Sequence, residues 1–393
     1  MPKQENKPIT VLAESLVWAR ERNGMDLPSA ASKLGWKIDE LVAVEHGDRA
    51  LTAPQIRKAA DVYQVSPAVF FLPEAPSDRF KAPQDFRSLA GTSRGTFSPT
   101  LIRQIDRVHS QIRYLQELQS YRVIRPSFAP IEIKVSDGIE ATAQRVLEWV
   151  LGQILDLDSL RRNRPAFLAR WISIVEERGV LVTQVSRIDL EELRGCCFWD
   201  PAFPVIILNG ADSHRGRLFT LLHELIHILL RVDVIINGFQ SRDETEIFCN
   251  GVAAAVLVPR IEILELTSVR NASTSTTWEL DQLAEVANNF GVSREAINRR
   301  LYTLGRQSRI SFEKNQSILR ASYSKSKGGN DDSDGGPAQD VMLLRNLGRP
   351  YVKAVLAARE RGLITELAAA DYLFSKARWT SELEKRLAKE ARR

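Results

Sequence analysis

Between residues 221 and 230 the chain reads LLHELIHILL, and no other stretch constrains the fold as much. The pattern predicts one helix over 215–230. Leu221, Leu222, Leu225, Ile226, Ile228, Leu229 and Leu230 leave it apolar nearly all round, and a helix of that kind is buried. It also carries His223 and His227, and buried imidazoles need partners. Histidines four apart project from one helix face, so both rings can reach a single cation. Glu224, beside the first of them, is a carboxylate able to take a proton from a water that the cation acidifies. The plainer reading is a core helix that happens to hold two histidines. The chain has five histidines in all, and two at ligand spacing around a glutamate favour the metal.

Two histidines do not complete a catalytic zinc site, which takes three protein ligands. The chain continues ILLRVDV after His227, with no third histidine, so the ligand must come from elsewhere. A second helix is expected over 244–258, stopped by Pro259. Asp243, Glu244 and Glu246 at its start are the candidates. Glu246 is chosen because Asn250 lies one turn further on the same face. Asn250 is expected to accept the free N–H of a metal-bound histidine; a helix-interior amide bonded to backbone is the alternative.

Composition sets the frame. A chain of 393 residues with 44% hydrophobic and 26% charged residues can bury a substantial core without covalent staples. No run approaches the roughly 18 apolar residues of a membrane helix, and MPKQENKPIT does not open a signal peptide. No membrane partner is therefore expected. The three cysteines, Cys196, Cys197 and Cys249, form no C-x-x-C and cannot all pair, which points to a reducing, cytoplasmic compartment.

The expected fold is mixed α/β and mostly helical. Residues 1–75 form a helix–turn–helix domain, with helices at 27–34 and 37–45 turned by Gly35. Residues 76–178 are a linker and helical segment, entered through the Pro-containing stretch PEAPSDRFKAPQDF at 73–86, a linker or extended crossover, and holding long amphipathic helices over 99–121 and 138–178. A zincin-like peptidase domain follows over 179–312, with short strands at 180–185, 195–199 and 205–208. It trails into a second paired-helix unit at 279–304. Residues 313–340 read as a flexible linker, Gly/Ser/Asp-rich over 322–340, and 341–393 as a helical C-terminus.

HELIHILL, followed by E-I-F-C-N-G-V-A-A-A-V-L-V-P, resembles the ImmA/IrrE family of metallopeptidases. The approach to the helix is similar as well: a strand ending at Asn209, a basic turn, then Arg217, Leu218, Phe219 and Thr220. The resemblance covers about 180–305. It implies a Zn2+ site of His223, His227 and Glu246, the last set in the family's E-x-x-C/A-N-x-x-A-A element. W-A-R-E-R at 18–22, A-V-F-F-L-P-E-A-P at 68–76 and D-F-R at 85–87 resemble a subgroup that fuses an XRE-like helix–turn–helix to this peptidase. Members act as regulatory proteases on repressors, and some fused forms look like antitoxin components beside a PIN-like toxin. The resemblance thus implies a zinc metallo-endopeptidase that cuts a repressor or a toxin-linked regulator. The alternative is a DNA-binding antitoxin or transcriptional regulator with a weak or structural peptidase site.

Other candidates are weaker. No Cys-His-Asn pattern supports a nucleophilic cysteine, so Cys196, Cys197 and Cys249 read as packing thiols. His214, in the basic turn HRGR, reads as an exposed loop histidine. Residues 1–75 hold nine Lys/Arg against ten Asp/Glu, a poor balance for phosphate. Residues 291–312 hold five arginines and one glutamate. If the chain binds DNA, Ser293, Arg294, Asn298 and Arg299 are the expected contacts. Packing against the peptidase is the other reading of that unit.

Overall fold

The computed structural model describes residues 7–22, 25–63, 65, 67–75, 98–152, 158–231, 242–325 and 338–391. The chain divides into two units, residues 1–82 with 89–107 and residues 83–88 with 108–393. Most of the crossover expected over 73–86, the D-F-R at 85–87 and residues 326–337 of the linker expected over 313–340 lie outside the described residues; residues 313–325 are not linker but part of a helix over Arg309–Lys325, begun by the Ser308 side chain accepting the Ser311 amide.

In the first unit, β1 (Pro8–Ile9) precedes α1 (Ala13–Arg22), α2 (Leu27–Leu34) and α3 (Ile38–Glu45). Then β2 (Leu51–Thr52) pairs antiparallel with β1 and leads into α4 (Ala53–Tyr63). Asp26 caps α2 by accepting the Ser29 amide at 2.8 Å, with Pro28 in the first turn, where its missing N–H costs nothing. Gly35 ends α2 at φ +65°, a left-handed conformation that glycine adopts without strain. Leu16, Leu34, Leu41, Leu51, Ile56, Tyr63 and Phe70 fill the core, and Arg20 holds Glu45 through two bonds of 2.7 and 2.9 Å, tying α1 to α3.

Helix α5 (Pro99–Ser120) crosses the division at residue 107. In the second unit, α6 (Ile139–Leu151) and α7 (Arg164–Glu177) stand where one long helix was expected over 138–178. Gly152, at φ +56°, stops α6, and Asn163 caps a fresh start by accepting the Ala166 amide with Pro165 in the first turn. A three-stranded sheet follows: β3 (Leu181–Val185), β4 (Gly195–Phe198) and β5 (Val205–Asn209), in the order β3-β5-β4. Strand β3 runs parallel to β5, with Leu181 opposite Val205, and β4 runs antiparallel, with Gly195 opposite Leu208. The three strands keep to the expected positions, because short apolar runs between turn residues left few other readings.

Helix α8 (His214–Leu230) leaves β5 and lies against β4, β5, α7 and α9 (Arg242–Leu257). Its approach to β4 depends on Gly195. A Cβ there would stand 2.3 Å from Thr220 Cγ2 and 2.8 Å from the Ile207 carbonyl, so no side chain fits. In the same way Gly251 lets α9 close on α6, where a Cβ would meet Ile139 at 2.6 Å. Short helices α10 (Arg260–Glu265) and α11 (Thr267–Arg270) lead to α12 (Leu280–Phe290), α13 (Arg294–Thr303) and α14 (Arg309–Lys325). One apolar core holds Val146, Trp171, Val182, Ile206, Leu225, Val252, Phe290 and Ile297 together. The C-terminal segment forms α15 (Gln339–Leu347), α16 (Arg349–Glu360), α17 (Glu366–Tyr372) and α18 (Arg378–Ala391). Helix α15 packs on β3, the Leu347 carbonyl accepts from Gln111 Nε2 at 2.8 Å, and Tyr372 stacks on Tyr114. The architecture is mixed α/β and mostly helical.

Candidate metal centre

Ser213 starts α8 by accepting the Gly216 amide at 3.0 Å, and Arg217 fixes the first turn to β3 by donating to Gln184 Oε1 at 2.8 Å. Two turns on, the helix is enclosed: His223 is 0%, Glu224 2% and His227 5% exposed. The two rings turn the same way, and their Nε2 atoms stand 3.0 Å apart. Helix α9 brings Glu246 across the seam, its oxygens 3.4 Å from His223 Nε2 and 3.1 Å from His227 Nε2. Two imidazole nitrogens and a carboxylate oxygen thus share one small volume.

The spacing fits a metal. Donors at the zinc–nitrogen distance of about 2.05 Å on the corners of a tetrahedron lie about 3.3 Å from each other. The two Nε2 atoms stand 3.0 Å apart, and the Glu246 oxygens lie close to that edge length from them, Oε1 at 3.1 Å from His227 and Oε2 at 3.4 Å from His223. Without a cation the cluster must share a proton. Burial works to raise the Glu246 carboxyl, but the hydrogen bonds from His223 and His227 hold it far below the usual carboxylate range. Burial likewise works to lower His227, but its bonds to Cys249 and Glu246 hold it well above the ordinary imidazole value. A divalent cation held by these three groups would replace that proton.

Of the other candidates for third ligand, Glu244 is exposed, and the side chain of Asp243 lies outside the described residues. Asn250 makes the intrahelical bond that was the alternative reading: its amide nitrogen donates to the Glu246 carbonyl at 2.7 Å. The contact to the outer nitrogen of His227 comes from Cys249, whose Sγ lies 3.7 Å from Nδ1. Spacing alone did not reveal this, since positions three and four beyond Glu246 share its face. Burial pushes the Cys249 thiol up, with His227 pulling the other way.

Strand alternation puts Cys197 on the same face as Gly195, towards α8, and its thiol lies within hydrogen-bonding reach of Glu224. Burial and that carboxylate both push the thiol well up, away from nucleophilic behaviour. Cys196 is fully buried. His214 is half-buried as the first residue of α8, not in an exposed loop.

The residues expected to read DNA divide. Ser293 caps α13 by accepting the Ala296 amide at 3.1 Å. Arg294 and Arg299 are half-buried. Asn298 is 1% exposed: its Nδ2 donates to the Phe312 carbonyl at 3.1 Å, and its Oδ1 accepts from Gln307 at 2.8 Å. It cannot present its amide to a base edge while those bonds hold. Arg300, which supplied part of the local positive charge, is also buried, paired with Glu140 and donating Nε to the Val258 carbonyl at 2.8 Å. The pair α12–α13 belongs to the core that holds α8 and α9.

No helix among the described residues is long and apolar enough to cross a membrane. No curated protein matches the chain. Residues 175–302, from the end of α7 to α13 and so including both histidines, Glu224 and Glu246, match the model of the IrrE N-terminal-like domain, a metallopeptidase family.

Proposed function

We propose that this chain is a zinc-dependent endopeptidase acting on a specific protein partner. The observation that carries the reading is the three-donor cluster of His223, His227 and Glu246 at tetrahedral edge distances, with Glu224 one residue from the first histidine. Zinc bound there supplies a Lewis acid that polarises the scissile carbonyl and acidifies a water. The protein does the rest. Glu224 takes the proton from the attacking water on its carboxylate and returns it to the departing amide nitrogen. Its burial at 2% exposure keeps that carboxylate from bulk solvent. Strand β4, at the end of the sheet, offers backbone donors and acceptors to an extended segment of the substrate.

The partner we infer is a repressor or a toxin-linked regulator, docked through residues 1–90 or 341–393. Selectivity then comes from docking, and a generic substrate such as casein is cut slowly or not at all. Glu224→Gln, which leaves the three ligands intact, should keep zinc, abolish cleavage and trap the uncut partner. Full cleavage by Glu224→Gln, or brisk digestion of casein by the wild type, would sink the respective half of the proposal. Of the two paired-helix units on which the competing reading, a DNA-binding regulator, rests, the more positively charged is the one in which Asn298 and Arg300 are buried.

A further inference from the structure

Helix α9 delivers two groups to the site one turn apart, Glu246 and Cys249. The two imidazoles converge through Nε2, where Glu246 also points, so Nε2 is the atom that each ring presents to a cation. A neutral imidazole that ligates through Nε2 carries its hydrogen on Nδ1. At Nδ1 of His227 stands the Cys249 sulfur, 3.7 Å away and 0% exposed. A ligating histidine normally gives this proton to a carboxylate, a carbonyl or water. Here the acceptor is a thiol sulfur in an apolar seam, packed with Phe248, Val252 and Leu225.

We propose that Cys249 is a positioning residue of the metal centre, resting on the reading of that centre given above. Its sulfur accepts the Nδ1–H of His227, which fixes the tautomer and holds Nε2 towards Glu246 and His223. The choice of atom has a chemical consequence. A carboxylate in this position would add a third negative charge beside Glu246 and Glu224 and make His227 a more basic ligand, weakening the Lewis acid. Sulfur orients the ring without adding charge. It also leaves Asn250, one residue on, to bond the Glu246 carbonyl and stiffen the turn that carries the third ligand.

The test uses the full-length protein and a chelator competition that reads zinc affinity directly, apart from any peptidase assay. Cys249→Ala should weaken zinc binding by about 10–100-fold, the usual effect of losing an outer contact to a ligating histidine. Cys249→Ser, whose hydroxyl can accept the same proton, should recover most of the loss. Unchanged affinity in Cys249→Ala would overturn the proposal. So would equal losses in the alanine and serine variants accompanied by equal falls in metal-free melting temperature, the signature of packing alone. If the variants do not fold, nitrogen-15 histidine spectra of the zinc-loaded wild type decide: a protonated Nδ1 on His227 is expected, and ligation through Nδ1 would refute the assignment. Undiminished zinc in His227→Ala would count against the metal centre itself, a failure distinct from that of Cys249.

Discussion

Asn298→Ala separates a structural amide from a base-reading one. The residue is 1% exposed and ties α13 to α14 and to the loop between them: it donates to the Phe312 carbonyl on α14 and accepts from Gln307, which also donates to Ser311 at 3.1 Å. Alanine removes both bonds. Each is worth about 1 kcal/mol net, with an added desolvation cost where a buried partner is left short. Gln307 keeps Ser311, so the sum is about 2–3 kcal/mol rather than the full penalty for two orphaned groups. In the larger unit, whose unfolding entropy is about 0.6 kcal/mol/K, that lowers the melting temperature by roughly 3–5 °C. Thermal unfolding followed by tryptophan fluorescence suits the measurement, since Trp278, buried in the same network, donates Nε1 to the Arg306 carbonyl. Arg299→Ala, at a half-buried position on the same helix, is the control and should stay within about 0.5 kcal/mol of the wild type. An Asn298→Ala protein that melts with the wild type but loses affinity for DNA would refute the placement and restore the base-reading role.

Glu246→Gln should lose bound zinc in elemental analysis while Glu244→Gln keeps it; the reverse result would move the third ligand. Gly195→Ala should cost about 1–3 kcal/mol by overpacking against Thr220, and Thr220→Ser, which deletes the clashing Cγ2, should recover part of it; no loss in denaturant melts would mean that α8 sits farther from β4. Burial pushes the Glu176 carboxyl up to about 8, against the pull of Arg349, Lys353 and the backbone amides of Arg349 and Val182. The folded state therefore holds a proton that the unfolded chain releases near 4.5, so stability present at pH 5 is lost as pH rises through 8. Glu176→Gln should abolish that slope, matching the wild type at pH 5 and exceeding it at pH 8 by on the order of 3 kcal/mol; parallel pH profiles would show that Glu176 is ionised throughout.

The metal site was legible because its logic is local. His223 and His227 share a face by helical period alone, and Glu246 sits near the start of an apolar helix that packs on theirs. Two features escaped for opposite reasons. Cys249 and Asn250 are both one turn from Glu246, and which of them meets His227 depends on how α9 is rolled against α8, a roll set by Gly251 on Ile139 in a distant helix. Asn298 among arginines looks like a reader of bases until the Phe312 carbonyl is found against it, fourteen residues on. The break in 138–178 was readable in principle from Gly152 and the Asn163–Pro165 start, but the apolar periodicity on both sides masked it.

The Arg300–Glu140 pair sets where this protein can be cut. Arg300 lies inside the stretch 175–302 that carries every proposed ligand, and Glu140 lies outside it, on α6. An excised 175–302 fragment would keep the ligands yet hold a guanidinium in its interior with no counter-charge, an error costing about 3–5 kcal/mol. The same cut would strip Ile139 from Gly251 and remove Ser311 and Asn315, which bond the backbone of Trp278 at 3.0 and 2.8 Å. A piece that keeps these contacts begins before Ile139 and extends past Asn315. For expression of a minimal fragment that keeps the candidate site, or for grafting that site onto another protein, the border to respect is the one drawn by buried charge, and it encloses considerably more chain than the recognisable motif.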